Sequence, residues 1–346
     1  MVEKSNIALV PHDAVIDRLL RSAEPSVRWK TLVKVLGEDS TSAKAVALGD
    51  EVRDSQRVRT LLKGRDSSGQ LLRGRGIYAK WQGAHWTMAS LADIGYPAGD
   101  ASLAPIRDQL LKQWLDDEFF EEFATENKAA VYGKSGVPVM QGRYRRCASQ
   151  QGNALFAIMA LGLDDGRCAT LVERLLHWRW PDGGWNCDKE PSAAKSSFTE
   201  TLLPVRGLAL YARMMGDVPA HKTVQRAVEV FLERRLFKRM SDGSVVREEF
   251  TKLHYPLYWH YDILGALKVM AESGHITDAR CSDALDLLES KRLSDGGWPA
   301  ESSYYKVTDS VQLGADVVDW GGTSKRVMNE WVTADALYVL RAAGRA

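Results

Sequence analysis

The tetrapeptide Asp-Gly-Gly-Trp occurs at 182–185 and again at 295–298, each time after a leucine-rich run at helical spacing. "LVERLLHWRWPDGGW" (171–185) and "ALDLLESKRLSDGGW" (284–298) are two copies of one unit. "AVEVFLERRLFKRMSDGS" (227–244) is a third, and "RVRTLLKGRDSSG" (57–69) a weaker one. "IRDQLLKQWLDDEFF" (106–120) keeps the helix and has lost the glycines. With Asp66, Asp117, Asp182, Asp242 and Asp295 as markers, the intervals run from 51 to 65 residues, so the fold is read from a repeat present five times.

Each marker is followed, after a polar loop, by a second apolar segment: "HWTMASLADIG", "NALFAIMALGL", "TETLLPVRGLALY", "YDILGALKVMAESG" and "WVTADALYVLRAAG". Gly95, Gly162, Gly274 and Gly344 stand where a helix takes a left-handed cap. These second segments are richer in Ala and Gly and poorer in charge than the first. The first helix of each pair then has one wet face, and the second is nearly surrounded by protein. Wet outer and buried inner helices in five or six hairpins close into an all-α, α/α toroid with DGGW turns between the two layers. No run of alternating β-branched residues is long enough for a sheet. Residues 1–54 fit the repeat poorly and are expected to form an N-terminal helical extension or cap, although "EPSVRWKTLVKVL" could open a sixth pair. The toroid is expected over 55–346.

Charge is balanced, with 46 basic and 45 acidic residues, which gives no sign of a nucleic-acid partner. No apolar run approaches the roughly 18 residues of a membrane span. The start of the chain has no secretion signal, and the four cysteines form no CxxC pair, so a reduced, cytoplasmic protein is expected. Composition does not address the oligomeric state.

The helix, DGGW turn and Ala-rich inner helix together resemble the terpenoid cyclase and protein prenyltransferase superfamily, whose squalene-hopene cyclases carry similar Trp-containing QW turns. The resemblance covers 55–346. It implies an α/α toroid and an isoprenoid-type or functionalised apolar ligand in its central cavity. The glutamine of the QW turn is replaced here, by Trp178 or Arg179 in one repeat and by Lys291 in another. The DxDD acid motif of class II cyclases does not occur, and neither does the Asp-x-Cys zinc pair of the prenyltransferases. "WLDDEFFEE" lacks the second aspartate of the class I magnesium motif at the right offset.

In such a ring the inner-helix amino termini converge on a mouth, where unsatisfied amides and the helix dipoles favour ligand binding. This chain loads those termini with Lys80, Trp81, His85, Arg146, Gln150, His254, Tyr258, Trp259 and Trp331, taken as substrate-binding candidates. Counting back fifteen residues from four of the cap glycines puts Lys80, Cys147, Trp259 and Asn329 in register. His260, Asp262, Glu200 and Glu330 are the catalytic candidates, as acids or bases beside aromatic faces that stabilise positive charge. Ser196, Ser197 and Thr199 are ordinary helix-capping types. No metal or other cofactor is expected. A zinc-dependent toroid enzyme, similar to the lanthionine cyclases, would need Cys147, Cys187 and His254 or His260 to converge, and the Cys-His-Gly signature of those enzymes is absent. A carbohydrate-active toroid enzyme and a non-catalytic binding or scaffold protein are the other readings. Cys187 and Asp188 are the part of the DGGW loop that does not recur.

Overall fold

The chain is mostly α-helical in a computed structural model, which describes residues 10–74 and 76–346. Helix α1 (His12–Leu20) is followed by α2 (Pro25–Trp29), which continues in wider π-type turns over Lys30–Val35. Next come α3 (Ala43–Arg53), α4 (Gln56–Leu62), α5 (Ala84–Asp93), α6 (Ala104–Trp114), α7 (Lys128–Val131) and α8 (Ala148–Ala160). The second half holds α9 (Cys168–His177), α10 (Phe198–Met215), α11 (Val218–Ala227), α12 (Glu229–Leu232), α13 (Ile263–Glu272), α14 (Ser282–Ser290) and α15 (Glu330–Ala342). Contrary to the expectation of no sheet, five short strands form among the described residues, over Glu122–Ala124, Val137–Met140, Arg143–Tyr144, Lys306–Val307 and Ala315–Asp316. They lie in loops, where two to four residues suffice and no long alternating pattern is needed. Among the described residues no helix is long and apolar enough to cross a membrane.

The two kinds of helix differ in burial. In α8 only Gln150 and Ala160 escape full burial, whereas α9 buries one stripe, Cys168, Leu171, Val172 and Leu175. The buried helices follow one another: α5 lies on α8, α8 on α10, α10 on α13, α13 on α15, and α15 on the turns over Lys30–Val35. Trp29 beneath Gly95, and Lys30 at 3.4 Å from Asp93, return this order to α5. Residues 25–35 therefore supply a sixth buried helix, and the boundary expected at 54/55 cuts through the sequence of contacts. Pro25 starts that helix at a position where a missing N–H costs nothing.

The closest approach is between α8 and α10. A methyl group on Gly152 would overlap the backbone of Pro204, and one on Gly207 would overlap the Gly152 carbonyl. The DGGW tryptophans tie outer to inner helix in the same way in both copies. The Trp185 indole donates to Leu175 O at 2.9 Å and its backbone N–H to Thr201 Oγ1 at 3.1 Å. The Trp298 indole donates to Leu288 O at 2.8 Å and its backbone N–H to Thr333 Oγ1 at 2.9 Å.

Six charged side chains meet between the buried helices. Lys268 lies 2.8 Å from Asp93 and 2.9 Å from Asp335, and Lys30 lies 2.7 Å from Asp335. Arg206 reaches Asp93 at 3.0 Å and Glu272 at 2.6 Å, and the Tyr255 hydroxyl donates to Asp93 at 3.0 Å. Three positive and three negative charges cancel, which is what makes their burial tolerable. Burial alone would raise Asp93, but Lys268, Lys30 and Arg206 hold it well below the usual carboxylate range. A cavity of about 810 Å³ opens above this cluster, walled by parts of the buried helices, by α3 and by the loop before it.

Candidate functional site

At the opposite, amino-terminal end, three pieces of chain bring two thiols and a carboxyl together. Cys147 is the residue before α8, Cys187 follows the first DGGW turn, and Glu200 lies in the first turn of α10. One donor atom from each lies within 4.8 Å of the other two, and the Cys187 thiol is 3.4 Å from the Glu200 carboxylate. The loop carrying Cys187 is pinned on both sides. Ser197 N–H donates to Trp185 O at 2.9 Å, and Arg145 donates to Ala193 O at 2.9 Å and Pro191 O at 3.2 Å. Glu200 accepts from the Ser149 backbone N–H at 3.0 Å.

Glu200 is partly accessible from the mouth yet enclosed by protein elsewhere. That burial raises its carboxyl above the usual range, against the pull of Ser149, Cys187 and Arg146. Hydrogen bonding to Cys147, burial and Glu200 push the Cys187 thiol up. Arg146 is buried over the Phe119 ring at 4.9 Å, with the Gln151 amide oxygen turned to accept from its guanidinium at 2.6 and 3.3 Å. Burial, with Glu200 and the two thiols nearby, pushes the Tyr78 hydroxyl up.

The other side of the mouth is aromatic. Trp81 stacks on Tyr258 with centroids 4.1 Å apart, and Trp86 meets both edge-on. His260 stacks between Trp259 at 4.3 Å and Tyr304 at 3.6 Å. Burial, with His254 and Lys80 nearby, pushes His260 down to about 3, so it is a neutral imidazole. The buried Trp259 indole N–H has no acceptor among the described residues. Behind this wall Asp262 caps α13 through Gly265 N–H at 2.7 Å and accepts from the His254 backbone N–H at 2.9 Å. Its carboxylate also lies 2.8 Å from His254 Nδ1, out of line for a full hydrogen bond. Burial opposes charge on His254, but Asp262 and the carbonyls of Lys252 and Leu257 lift it above its ordinary value. Lys80 joins the two sides, with Nζ 4.6 Å over the Trp259 ring, and burial lowers its ammonium below the usual range.

Several expected site residues serve the scaffold instead. His85 is buried, with Nδ1 accepting from the Trp114 indole at 3.2 Å and Nε2 at 3.1 Å from the Asn153 amide, so both nitrogens are used inside the protein. Glu330 accepts from Ser22 at 2.7 Å, away from the thiols and the aromatic wall. Trp331 is buried against Tyr255 at 5.1 Å. Asp262 and Tyr258 are buried too, Tyr258 hydrogen-bonded to Asp316, so Asp262 holds a helix and Tyr258 backs Trp81. Trp81 itself is fixed by its indole to Tyr304 O at 2.7 Å. Lys80, Gln150, Glu200, Trp259 and His260 keep partial access, while Arg146 and His254 stand one layer behind. Of the zinc ligands considered, Cys147 and Cys187 meet, but with Glu200 as the third group rather than a histidine. Tyr304, stacked on His260, is a further residue of this wall that the sequence did not mark. Nothing in its spacing from the repeat marks it.

Neither a protein-family profile nor a curated protein matches this sequence. Among solved structures, a protein from Actinoplanes is similar at 18% identity over 96% of this chain and 100% of that one, with a TM-score of 0.44. The apo type II terpene cyclase MstE from Scytonema is similar at 13% identity, over 84% of this chain and 96% of that one, with a TM-score of 0.30. A variant of that cyclase in complex with geranylgeranyl dihydroxybenzoate gives a TM-score of 0.27 at 13% identity, with the same shares covered. Likenesses this distant carry no functional argument, which rests on the site itself.

Proposed function

We propose that the protein is a cyclase-like enzyme built as an α/α toroid, with its reaction centre at the amino-terminal mouth. Its ligand is a small molecule with an apolar part and a polar or anionic end. The reading is carried by the strip from Tyr78 to Trp81. Tyr78 adjoins the thiols and carboxyl, Trp81 belongs to the aromatic wall, and Lys80 stands between them.

The rings of Trp259, His260 and Tyr304 offer faces to positive charge developing in an apolar part, each contact contributing about 0.5 to 2 kcal/mol. Lys80 and the free Trp259 indole N–H are donors for an anionic or carbonyl end. His260, as a neutral imidazole, accepts or donates a hydrogen bond without adding charge. The ion cluster crosses the middle of the ring, so a purely hydrocarbon chain running down the axis would meet Asp93 and Lys268. That favours a functionalised ligand held in the mouth.

The test is product analysis by mass spectrometry after incubation with a prenylated aromatic acid and with a prenyl diphosphate. Conversion should fall about tenfold or more in Lys80→Met and His260→Ala. Conversion indifferent to both changes would place the chemistry elsewhere. A second reading comes from the 810 Å³ cavity at the other end, whose volume suits a small-molecule site. There a charged ligand would sit against the ion cluster, and Arg213→Ala, not Lys80→Met, would weaken it.

A further inference from the structure

We propose that Cys147, Cys187 and Glu200 form a binding site for a thiophilic divalent cation, zinc by preference, with a fourth coordination position facing the mouth. The inference concerns the same mouth but does not rest on the reaction proposed for it.

The donor set is the first argument. Two thiolates and one carboxylate select a borderline-soft ion such as zinc over magnesium or calcium, which take oxygen ligands. Spacing is the second. Zinc–sulfur bonds of about 2.3 Å and zinc–oxygen bonds of about 2.0 to 2.2 Å set tetrahedral edges of roughly 3.5 to 3.8 Å. The observed donors are 3.4 Å apart for Cys187 and Glu200, and no pair exceeds 4.8 Å, so side-chain rotation closes the site without moving a helix.

Charge is the third argument. Two thiolates and a carboxylate carry three negative charges, which a divalent ion reduces to one. The buried Arg146 guanidinium cancels that one, and it is held by Gln151 rather than spent on Glu200. Support around the ligands is the fourth. Ser149 N–H orients Glu200, and Arg145 and Trp185 fix the loop of Cys187. A disulfide between Cys147 and Cys187 is the competing use of the two thiols, and it gives neither Glu200 nor Arg146 a part.

The test uses the reduced, intact protein with no substrate. Zinc retained after gel filtration is measured by elemental analysis, and cobalt is then titrated into the chelated protein. One equivalent of metal is expected, with a thiolate-to-cobalt charge-transfer band and protection of two of the four thiols from a thiol reagent. Cys147→Ser and Cys187→Ser should each remove the band, and Glu200→Gln should lower affinity at least about tenfold. Circular dichroism checks that each variant is folded, and the wild-type spectrum decides the question without any variant. The proposal fails if the reduced wild type takes up no stoichiometric cobalt or zinc. It also fails if cobalt binds without a thiolate band, if the band survives both cysteine changes, or if Glu200→Gln binds as tightly as wild type. Because metal is read on the resting protein, its absence would leave the proposed reaction standing, and a lack of conversion would leave the metal site standing.

Discussion

Asp93 and Lys268 meet at 2.8 Å, one from α5 and the other from α13, helices separated by two others whichever way the ring of contacts is followed. The pair ties opposite sides of the protein through a group of six charges that has no excess of either sign. Removing one partner leaves its neighbours buried and uncompensated, which costs far more than the pair contributes. Lys268→Met should lower unfolding stability by about 3 to 5 kcal/mol in urea titrations. A loss below about 1 kcal/mol would mean that water reaches the cluster from the 810 Å³ cavity and screens it.

The same cluster sets a behaviour in acid. Asp93 and Glu272 are both depressed, burial acting upward but the neighbouring cations prevailing. A carboxylate whose folded value is depressed contributes stability that is complete above its unfolded value of about 4 and disappears as pH falls through the folded value. Its share should therefore be constant from neutrality to about pH 5 and be lost below pH 4. Lys268→Met should flatten that acid limb, measured as the dependence of the urea midpoint on pH.

His85 and His260 add a loss of the same sign at milder pH. Both are pushed down to about 3 by burial, so the unfolded chain, at about 6.5, binds protons that the folded one refuses. Stability should fall as pH drops from about 6.5 toward 3. Proton NMR of the two imidazoles checks the cause directly, since neither should titrate near pH 6. A His260 midpoint near 6.5 would show that its stack between Trp259 and Tyr304 is open to water.

Gly152 and Gly207 should tolerate no side chain. Gly152→Ala places a methyl group on the backbone of Pro204, and neither α8 nor α10 can retreat, because each is packed against a further helix. Overpacking of this kind costs typically about 1 to 3 kcal/mol, whereas alanine in a helix is otherwise favoured over glycine by about 1 kcal/mol. A stabilised Gly152→Ala protein in a thermal melt would mean that the two helices are further apart than described.

The matching backbone N–H bonds of Trp185 to Thr201 and of Trp298 to Thr333 predict matching losses. Thr201→Val and Thr333→Val each strip the acceptor from a buried tryptophan N–H, at a cost of about 1 to 3 kcal/mol. Clearly unequal costs in chemical denaturation would show that the two turns are not mechanically equivalent.

Much of this was legible in the sequence, for a physical reason. Burial on all sides strips charge from a helix, so segments such as "NALFAIMALGL" announced themselves, and left-handed glycines marked their ends. Counting back from those glycines put Lys80 and Trp259 in register, and their side chains touch. The ion cluster was missed although its signal was present: Asp93, Arg206, Lys268 and Asp335 are isolated charges in apolar runs. The pairing of Glu200 with Cys187 could not be read from spacing, since it depends on how the DGGW loop folds back over α10. Glu330 turns to Ser22 because position along a helix fixes height, not the direction in which a side chain points.

The place of Lys30 has a consequence for how the chain is made. Its partners Asp93 and Asp335 lie on α5 and α15, and α15 follows every other helix in sequence. During synthesis the ammonium group emerges first, and the carboxylate at 2.7 Å from it in the finished protein emerges last. The early helices can gather against one another, but the seam between α2 and α15 stays open until α15 has been made. A ribosome-stalled chain ending before residue 330 should accordingly be cut by protease near residues 25–35 while its middle helices resist. Docking of α15 would then be the event that shields residues 25–35 from cleavage.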